Sequence, residues 1–158
     1  MKAIYAGSFN PPTLGHLDIL IRAAGLYDSL LVAVMVQPEK KALFPMEERV
    51  GMLRKITRAL PNVSVIGDTG LLVDLAHRTG AGVLVRGVRG CEDLNYELTM
   101  AHANRTIGKL ETVFIGCDPK YSLLSSSIVR ECAAYGADLS GMVPEEIIDD
   151  IKRAFQGR

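Results

Sequence analysis

Neither sign of charge is in excess: eighteen Lys and Arg offset eighteen Asp and Glu, for a formal net charge of +0 at pH 7. A chain without a global positive field does not bind nucleic acid or an anionic membrane surface through its overall charge, so any anion site has to be assembled locally. Long apolar runs are missing too. The longest, Leu30 to Val36, has seven residues, against the roughly 18 to 20 that a membrane-spanning helix requires. Neither a nucleic-acid nor a membrane partner is expected. Lys2 is followed by no long apolar stretch with a small-residue cleavage site, so the expected location is the cytoplasm. Cysteine is scarce: Cys91, Cys117 and Cys132 are odd in number and widely spaced, which fits neither a disulfide framework nor a CxxC metal site. All three read as structural thiols. The signatures GxGxxG and GxxxxGK[ST] are also absent, which disfavours a hydride-transfer dinucleotide fold and a P-loop kinase.

What is present is one domain's worth of chain, 158 residues at 48% hydrophobic and 23% charged, enough for a single core without staples. Short apolar runs alternate with segments of helical period along the whole length, the pattern of βαβ units around a parallel sheet. Strands are expected at Lys2 to Ala6, Leu30 to Val36, Val63 to Ile66, Val83 to Val85 and Thr112 to Ile115. Each is nearly continuous in apolar residues, as strands buried on both faces are. Helices are expected at Gly15 to Leu26, Met46 to Leu60, Gly70 to Arg78, Glu92 to Ile107, Ser126 to Tyr135 and Pro144 to Phe155. The fold class is therefore α/β: a Rossmann-like five-stranded parallel sheet with helices on both faces, in a single domain over residues 1–158. All seven prolines fall between these elements or at a helix start, where a missing N–H costs little. There is no internal repeat, low-complexity tract or linker.

One helix departs from the usual pattern. Leu94, Leu98 and Ala101 form one apolar stripe, and Tyr96, Met100, Ala103 and Ile107 form another nearly opposite, so burial on two sides is expected. Because outer helix faces of a small single-sheet protein stay wet unless a second copy covers them, a homo-oligomer is expected.

The first strand runs into Gly7-Ser8-Phe9-Asn10-Pro11-Pro12-Thr13-Leu14-Gly15-His16. Ligands of open α/β sheets lie beyond the carboxyl ends of the strands, where helix N-termini offer free N–H groups to phosphates. This segment resembles the (H/T)xGH motif of the nucleotidylyltransferase superfamily, and Thr13 at its first position points to the phosphopantetheine adenylyltransferase branch. Further matches follow in order: Pro38-Glu39-Lys40-Lys41, Phe44 to Val50 with Glu47-Glu48-Arg49-Val50, Arg86-Gly87-Val88-Arg89 after the fourth strand, Tyr96-Glu97 with Met100-Ala101 and Asn104-Arg105, and Leu124-Ser125-Ser126-Ser127. Asn10 stands where the family usually has Asp, and Leu14 where Asn is frequent.

The resemblance implies attack by the phosphate of 4′-phosphopantetheine on the α-phosphorus of ATP, giving dephospho-coenzyme A and pyrophosphate. A phosphate nucleophile is already ionised, so no general base is demanded. Catalysis then consists of aligning two anions and neutralising moving charge. His16, at a helix N-terminus that disfavours the imidazolium, is assigned transition-state stabilisation. By the same resemblance Ser8, Phe9, His16, Gly87, Val88, Arg89, Glu97 and Tyr121-Ser122-Leu123-Leu124-Ser125-Ser126-Ser127 contact ATP. Ser8, Lys40, Leu72 and Arg86 contact the acceptor. Val83 to Arg89 contains no acid, so Arg86 and Arg89 are expected to need an anion, although for Arg89 an ordinary surface ion pair is the bland reading. The serines open a helix, and their hydroxyls suit a triphosphate as well as a cap. His77 and His102 lack comparable context and read as ordinary structural residues.

No carboxylate cluster resembles a metal cage, so Mg²⁺ is expected to arrive with the phosphates and water, without assigned protein ligands. A hexamer is implied by resemblance only. Rivals are a nicotinate-mononucleotide adenylyltransferase or cytidylyltransferase of the same superfamily, and a non-catalytic nucleotide-sensing module; the last should have lost His16, Lys40 or the serine loop.

Overall fold

The computed structural model describes residues 1–36 and 41–156. Five parallel strands, β1 (Lys2–Gly7), β2 (Ser29–Met35), β3 (Val63–Asp68), β4 (Val83–Val88) and β5 (Glu111–Gly116), stand in the order β3-β2-β1-β4-β5. The helices are α1 (Leu14–Leu26), α2 (Met46–Thr57), α3 (Leu72–Thr79), α4 (Cys91–Gly108), α5 (Ser126–Ala134) and α6 (Ile148–Arg153). The chain thus winds outward from β1 in one direction and restarts beside it with β4, which puts the topological switch between the carboxyl ends of β1 and β4.

Period-two alternation divides the sheet's side chains between two cores. Ala3, Tyr5, Val32, Val34 and Val85 pack with Ile19 and Leu20 of α1 and Val50 and Leu53 of α2. Ile4, Ala6, Leu31, Ala33 and Leu84 pack on the other face with Val73, Leu75 and Ala76 of α3. A third cluster, including Phe44, Met52, Val129, Leu139, Ile147 and Ile151, seats α5 and α6 against the outer side of α2. Each fully buried Leu, Ile or Phe contributes roughly 1.5 to 3 kcal/mol.

Four features differ from expectation. β4 runs on through Arg86, Gly87 and Val88, paired in parallel register with Phe114, Ile115 and Gly116, so Arg86 is a strand residue and not part of the following loop. Only the central strands are buried on both faces; β3 and β5 are edges, and Val113 is left 38% exposed. The final helical stretch opens as a 3₁₀ turn over Glu145–Ile147 before α6. Most informative is α4, whose apolar stripes are not its packed side. Glu97, Asn104 and Gly108 are buried, whereas Tyr96 is 60% and Ile107 63% exposed.

Candidate active site

The β1–α1 turn is shaped by its own residues. Phe9 adopts a positive φ of 46° and the Asn10–Pro11 bond is cis. The Phe9 ring is buried at 1% exposure and meets Tyr5 and His16 edge-on, at centroid distances of 5.3 and 5.1 Å. A side chain at Gly7 would press on that ring at 3.1 Å. Phe9 therefore anchors the turn with its ring.

The TxGH spacing has a structural cause. Thr13 is the N-cap of α1: its hydroxyl oxygen accepts from the backbone N–H of His16 at 3.2 Å, and the backbone N–H of Thr13 donates to His16 Nδ1 at 3.0 Å. This is a capping box with imidazole in place of the usual Glu or Gln. Because Nδ1 accepts, the ring proton of the neutral form sits on Nε2. Burial, reinforced by the charges of Arg89 and Arg86, pushes the His16 pKa down to about 4. Near neutral pH this ring is an oriented hydrogen-bond donor and not a cation.

His16 lines a cavity of about 700 Å³ at the carboxyl ends of β1 and β4. Ser8, Phe9, Leu72, Arg86, Gly87, Arg89 and Glu97 line it as well, and so do Tyr121, Leu124, Ser125, Ser126 and Ser127. Val88, Ser122 and Leu123 do not; Leu123 points outward at 85% exposure. Lys40 lies outside the described residues.

The serine loop supplies the expected cap, and its other hydroxyls are bonded within the protein. Ser125 caps α5, its hydroxyl accepting from Ile128 N–H at 3.2 Å; the Ser126 hydroxyl donates to the Pro11 carbonyl at 2.7 Å, and Arg130 Nη2 donates to the Ser127 hydroxyl at 3.1 Å. All three hydroxyls are engaged by the protein. The backbone N–H groups of Ser126 and Ser127 are without partners among the described residues, and they are the donors that a helix start offers an anion.

Arg86 and Arg89 differ from expectation, because α4 brings acids to them. Arg86 donates from Nε to Glu97 Oε2 at 2.7 Å and from Nη2 to Oε1 at 2.5 Å, and Nη1 reaches the Ala6 carbonyl. Burial draws the Arg86 pKa down, but the Glu97 hydrogen bonds and charge outweigh it and the net direction is up. Arg89 pairs more loosely with Asp93 at 3.5 Å and donates to the Leu124 carbonyl at 3.1 Å. Neither arginine depends on a ligand for a counter-charge.

Three contributors are given no role by the sequence. Arg130 on α5 donates to the Asn10 carbonyl at 2.6 Å and lines the cavity. Asn10 is 8% exposed, and its Oδ1 accepts from Phe44 N–H at 3.1 Å, a bond that a carboxylate at this position could equally receive. Arg49 is buried beneath Ser8. It stands three residues after Met46 and four before Leu53 in the apolar stripe of α2, and that spacing is the signal that could have found it. His77 is structural as expected, bonding through Nε2 to the Gly108 carbonyl at 2.8 Å. The cysteines are free thiols, and none is buried: Cys91 is exposed and Cys117 lines the cavity.

A parallel sheet in this order, with the starts of α1 and α5 facing one cavity at the switch point, defines a nucleotide-handling α/β protein. The model of the cytidylyltransferase-like family matches residues 4–132. Among named relatives, a phosphopantetheine adenylyltransferase of Picosynechococcus sp. is 46% identical over 99% of this chain and 88% of its own length. One from Finegoldia magna is 44% identical over 99% and 98%, and one from Crocosphaera subtropica 45% identical over 99% and 100%. The chain belongs to the phosphopantetheine adenylyltransferase family. A crystal structure from Vibrio parahaemolyticus, described provisionally as a nicotinate-nucleotide adenylyltransferase, superposes with a TM-score of 0.71 over 95% of this chain and 97% of that one, at 18% identity. That likeness concerns the fold. No helix among the described residues is long and apolar enough to cross a membrane.

Proposed function

We propose that this chain transfers the adenylyl group of ATP to 4′-phosphopantetheine, giving dephospho-coenzyme A and pyrophosphate. The observation that carries the reading is the arrangement at the head of α1: a neutral imidazole, its tautomer set by Thr13, facing the same cavity as the unpartnered N–H groups of Ser126 and Ser127. Such a site holds a chain of phosphates and puts a fixed donor at the reacting one.

In this reading an oxygen of the acceptor phosphate attacks the α-phosphorus, and the bond from that phosphorus to the bridging oxygen breaks. Pyrophosphate leaves with the electron pair. His16 donates through Nε2 to a non-bridging α-oxygen as charge accumulates there. The α5 start, with Arg130 close by, receives the leaving phosphates. Gly87, Arg89, Glu97, Tyr121 and Leu124 serve the nucleotide, while Ser8, Lys40, Leu72 and Arg86 serve the acceptor. Arg86 is supported as a rigid donor by its two bonds to Glu97.

Among the described residues no three His, Cys, Asp or Glu side chains could hold a metal. Mg²⁺ would be carried by the phosphates of ATP and water, where it would neutralise charge on the phosphoryl oxygens. The free thiols suit a reducing compartment, which supports a cytoplasmic enzyme. Tyr96 and Met100 line the cavity, but the exposure of Leu98 and Ile107 on α4 supports a homo-oligomer in which other copies cover them; a hexamer is the assembly inferred by resemblance, and light scattering on the purified chain tests it.

The enzymatic test is pyrophosphate release from ATP with 4′-phosphopantetheine, nicotinate mononucleotide or glycerol 3-phosphate as acceptor. Release dependent on 4′-phosphopantetheine alone is expected. Release dependent on another acceptor, or on none, overturns the proposal.

A further inference from the structure

The cavity contains a buried cation that no acid among the described residues neutralises. Arg49 is only 3% exposed, and among the described residues it forms no ion pair. Nη1 donates to the Ser8 carbonyl at 2.8 Å, and Nε is buried with no partner. A carbonyl oxygen satisfies one N–H and leaves the charge itself unmet. Guanidinium does not escape by losing its proton at any working pH, although burial moves its pKa downward. An uncompensated charge withdrawn from water is costly, and proteins keep one where something arrives to meet it.

The place of arrival is defined by the fold. Arg49 lines the same cavity as His16 and Ser8. A neutral or apolar ligand would bury the charge further without answering it, whereas the planar fork of an arginine matches a phosphate oxyanion. Its bond to Ser8 adds a second consequence. The Ser8 carbonyl belongs to the peptide that enters Phe9, where the backbone takes its positive φ. The same guanidinium therefore fixes the turn that leads into Thr13 and His16.

We propose that Arg49 is a phosphate-binding residue of this site: held by the Ser8 carbonyl, its guanidinium receives an oxygen of a substrate phosphate. This rests on the adenylyl-transfer reading for the identity of the substrates, and that phosphate belongs either to the nucleotide or to the acceptor.

The test uses the full-length protein and the variants Arg49→Lys and Arg49→Met, with two readouts. The first is the rise in Tm on titration with inorganic pyrophosphate or inorganic phosphate, each variant referred to its own ligand-free midpoint. Arg49→Met is expected to require about tenfold more anion for the same rise, with Arg49→Lys in between. Equal titrations for all three proteins overturn the proposal, and Arg49→Lys alone against wild type decides it if Arg49→Met does not fold. The second readout is steady-state kinetics. The KM for the substrate that Arg49 holds is expected to rise about tenfold in Arg49→Met while the other KM changes less than about twofold, so the substrate whose KM moves identifies the source of the phosphate. A fall in kcat with both KM values unchanged marks a purely structural role and overturns the proposal. Should the wild-type protein release no pyrophosphate with 4′-phosphopantetheine, the adenylyl-transfer reading fails, while the anion titration still decides Arg49.

Discussion

The two walls of the cavity hold the same kind of side chain in opposite states. The wall built by β4 and α4 supplies its own counter-charges, Glu97 to Arg86 and Asp93 to Arg89. The wall built by the β1–α1 turn, α2 and α5 supplies none among the described residues: Arg49 and Arg130 rest on the carbonyls of Ser8 and Asn10, and His16 is kept neutral. The first wall is complete without a ligand and sets positions. The second is completed by the anion it receives, so loss of a donor there should be felt in catalysis and binding, and loss of an acid on the first in stability.

The largest effect is expected on the second wall. His16→Ala should lower kcat by about 10² to 10³-fold with the KM for ATP within about twofold of wild type, as follows for a donor used mainly in the transition state. Undiminished turnover would remove His16 from the chemistry. On the first wall, Glu97→Gln leaves Arg86 without its counter-charge, at an expected cost of roughly 2 to 3 kcal/mol in urea unfolding; the full cost of stranding a buried charge is discounted because the Arg86 side chain keeps 27% exposure. Adding Arg86→Met should restore most of that stability. If Glu97→Gln unfolds like wild type, the two walls do not differ as described.

Acid pH separates the walls further. The pKa of His16 falls from the ordinary histidine value of 6.5 to about 4 on folding, so across this interval the unfolded chain binds the proton more readily than the folded one. Stability contributed by the neutral ring is present above pH 6.5 and is lost as the pH falls toward 4. His16→Asn should flatten that part of the stability profile measured by denaturant titration. An unchanged slope would mean that the ring is not held neutral by its surroundings. The smallest effect concerns the cap: Ser125→Ala should cost about 1 kcal/mol and raise the KM for ATP, because the start of α5 frays where the phosphates dock.

Much of this arrangement is legible in the sequence. Uninterrupted apolar runs such as Leu30 to Met35 suit a strand covered on both faces, and β2 occupies the position that pattern implies. His16 is readable because three residues separate it from Thr13, the span of one capping turn. The compensation of Arg86 is not readable, because Glu97 reaches it from a different element eleven positions later, and only the packing of α4 on β4 decides that they meet. For the same reason the packed side of α4 is hidden. Its apolar stripes stand out in the sequence, yet the side that packs inward carries Glu97 and Asn104, whose burial depends on partners that local periodicity does not reveal. The hydroxyls of Ser125, Ser126 and Ser127 draw the eye to what side chains offer, while the unpartnered donors are backbone N–H groups.

Everything proposed for the chemistry requires the phosphates of a nucleotide to run from the start of α5 to the head of α1. A crystal structure of the chain with a non-hydrolysable ATP analogue decides this. An α-phosphate oxygen is expected at about 2.7 to 3.2 Å from His16 Nε2, with the outer phosphates on the N–H groups of Ser126 and Ser127. A triphosphate bound with its α-phosphate out of reach of His16, or with its outer phosphates away from α5, would refute the assignment.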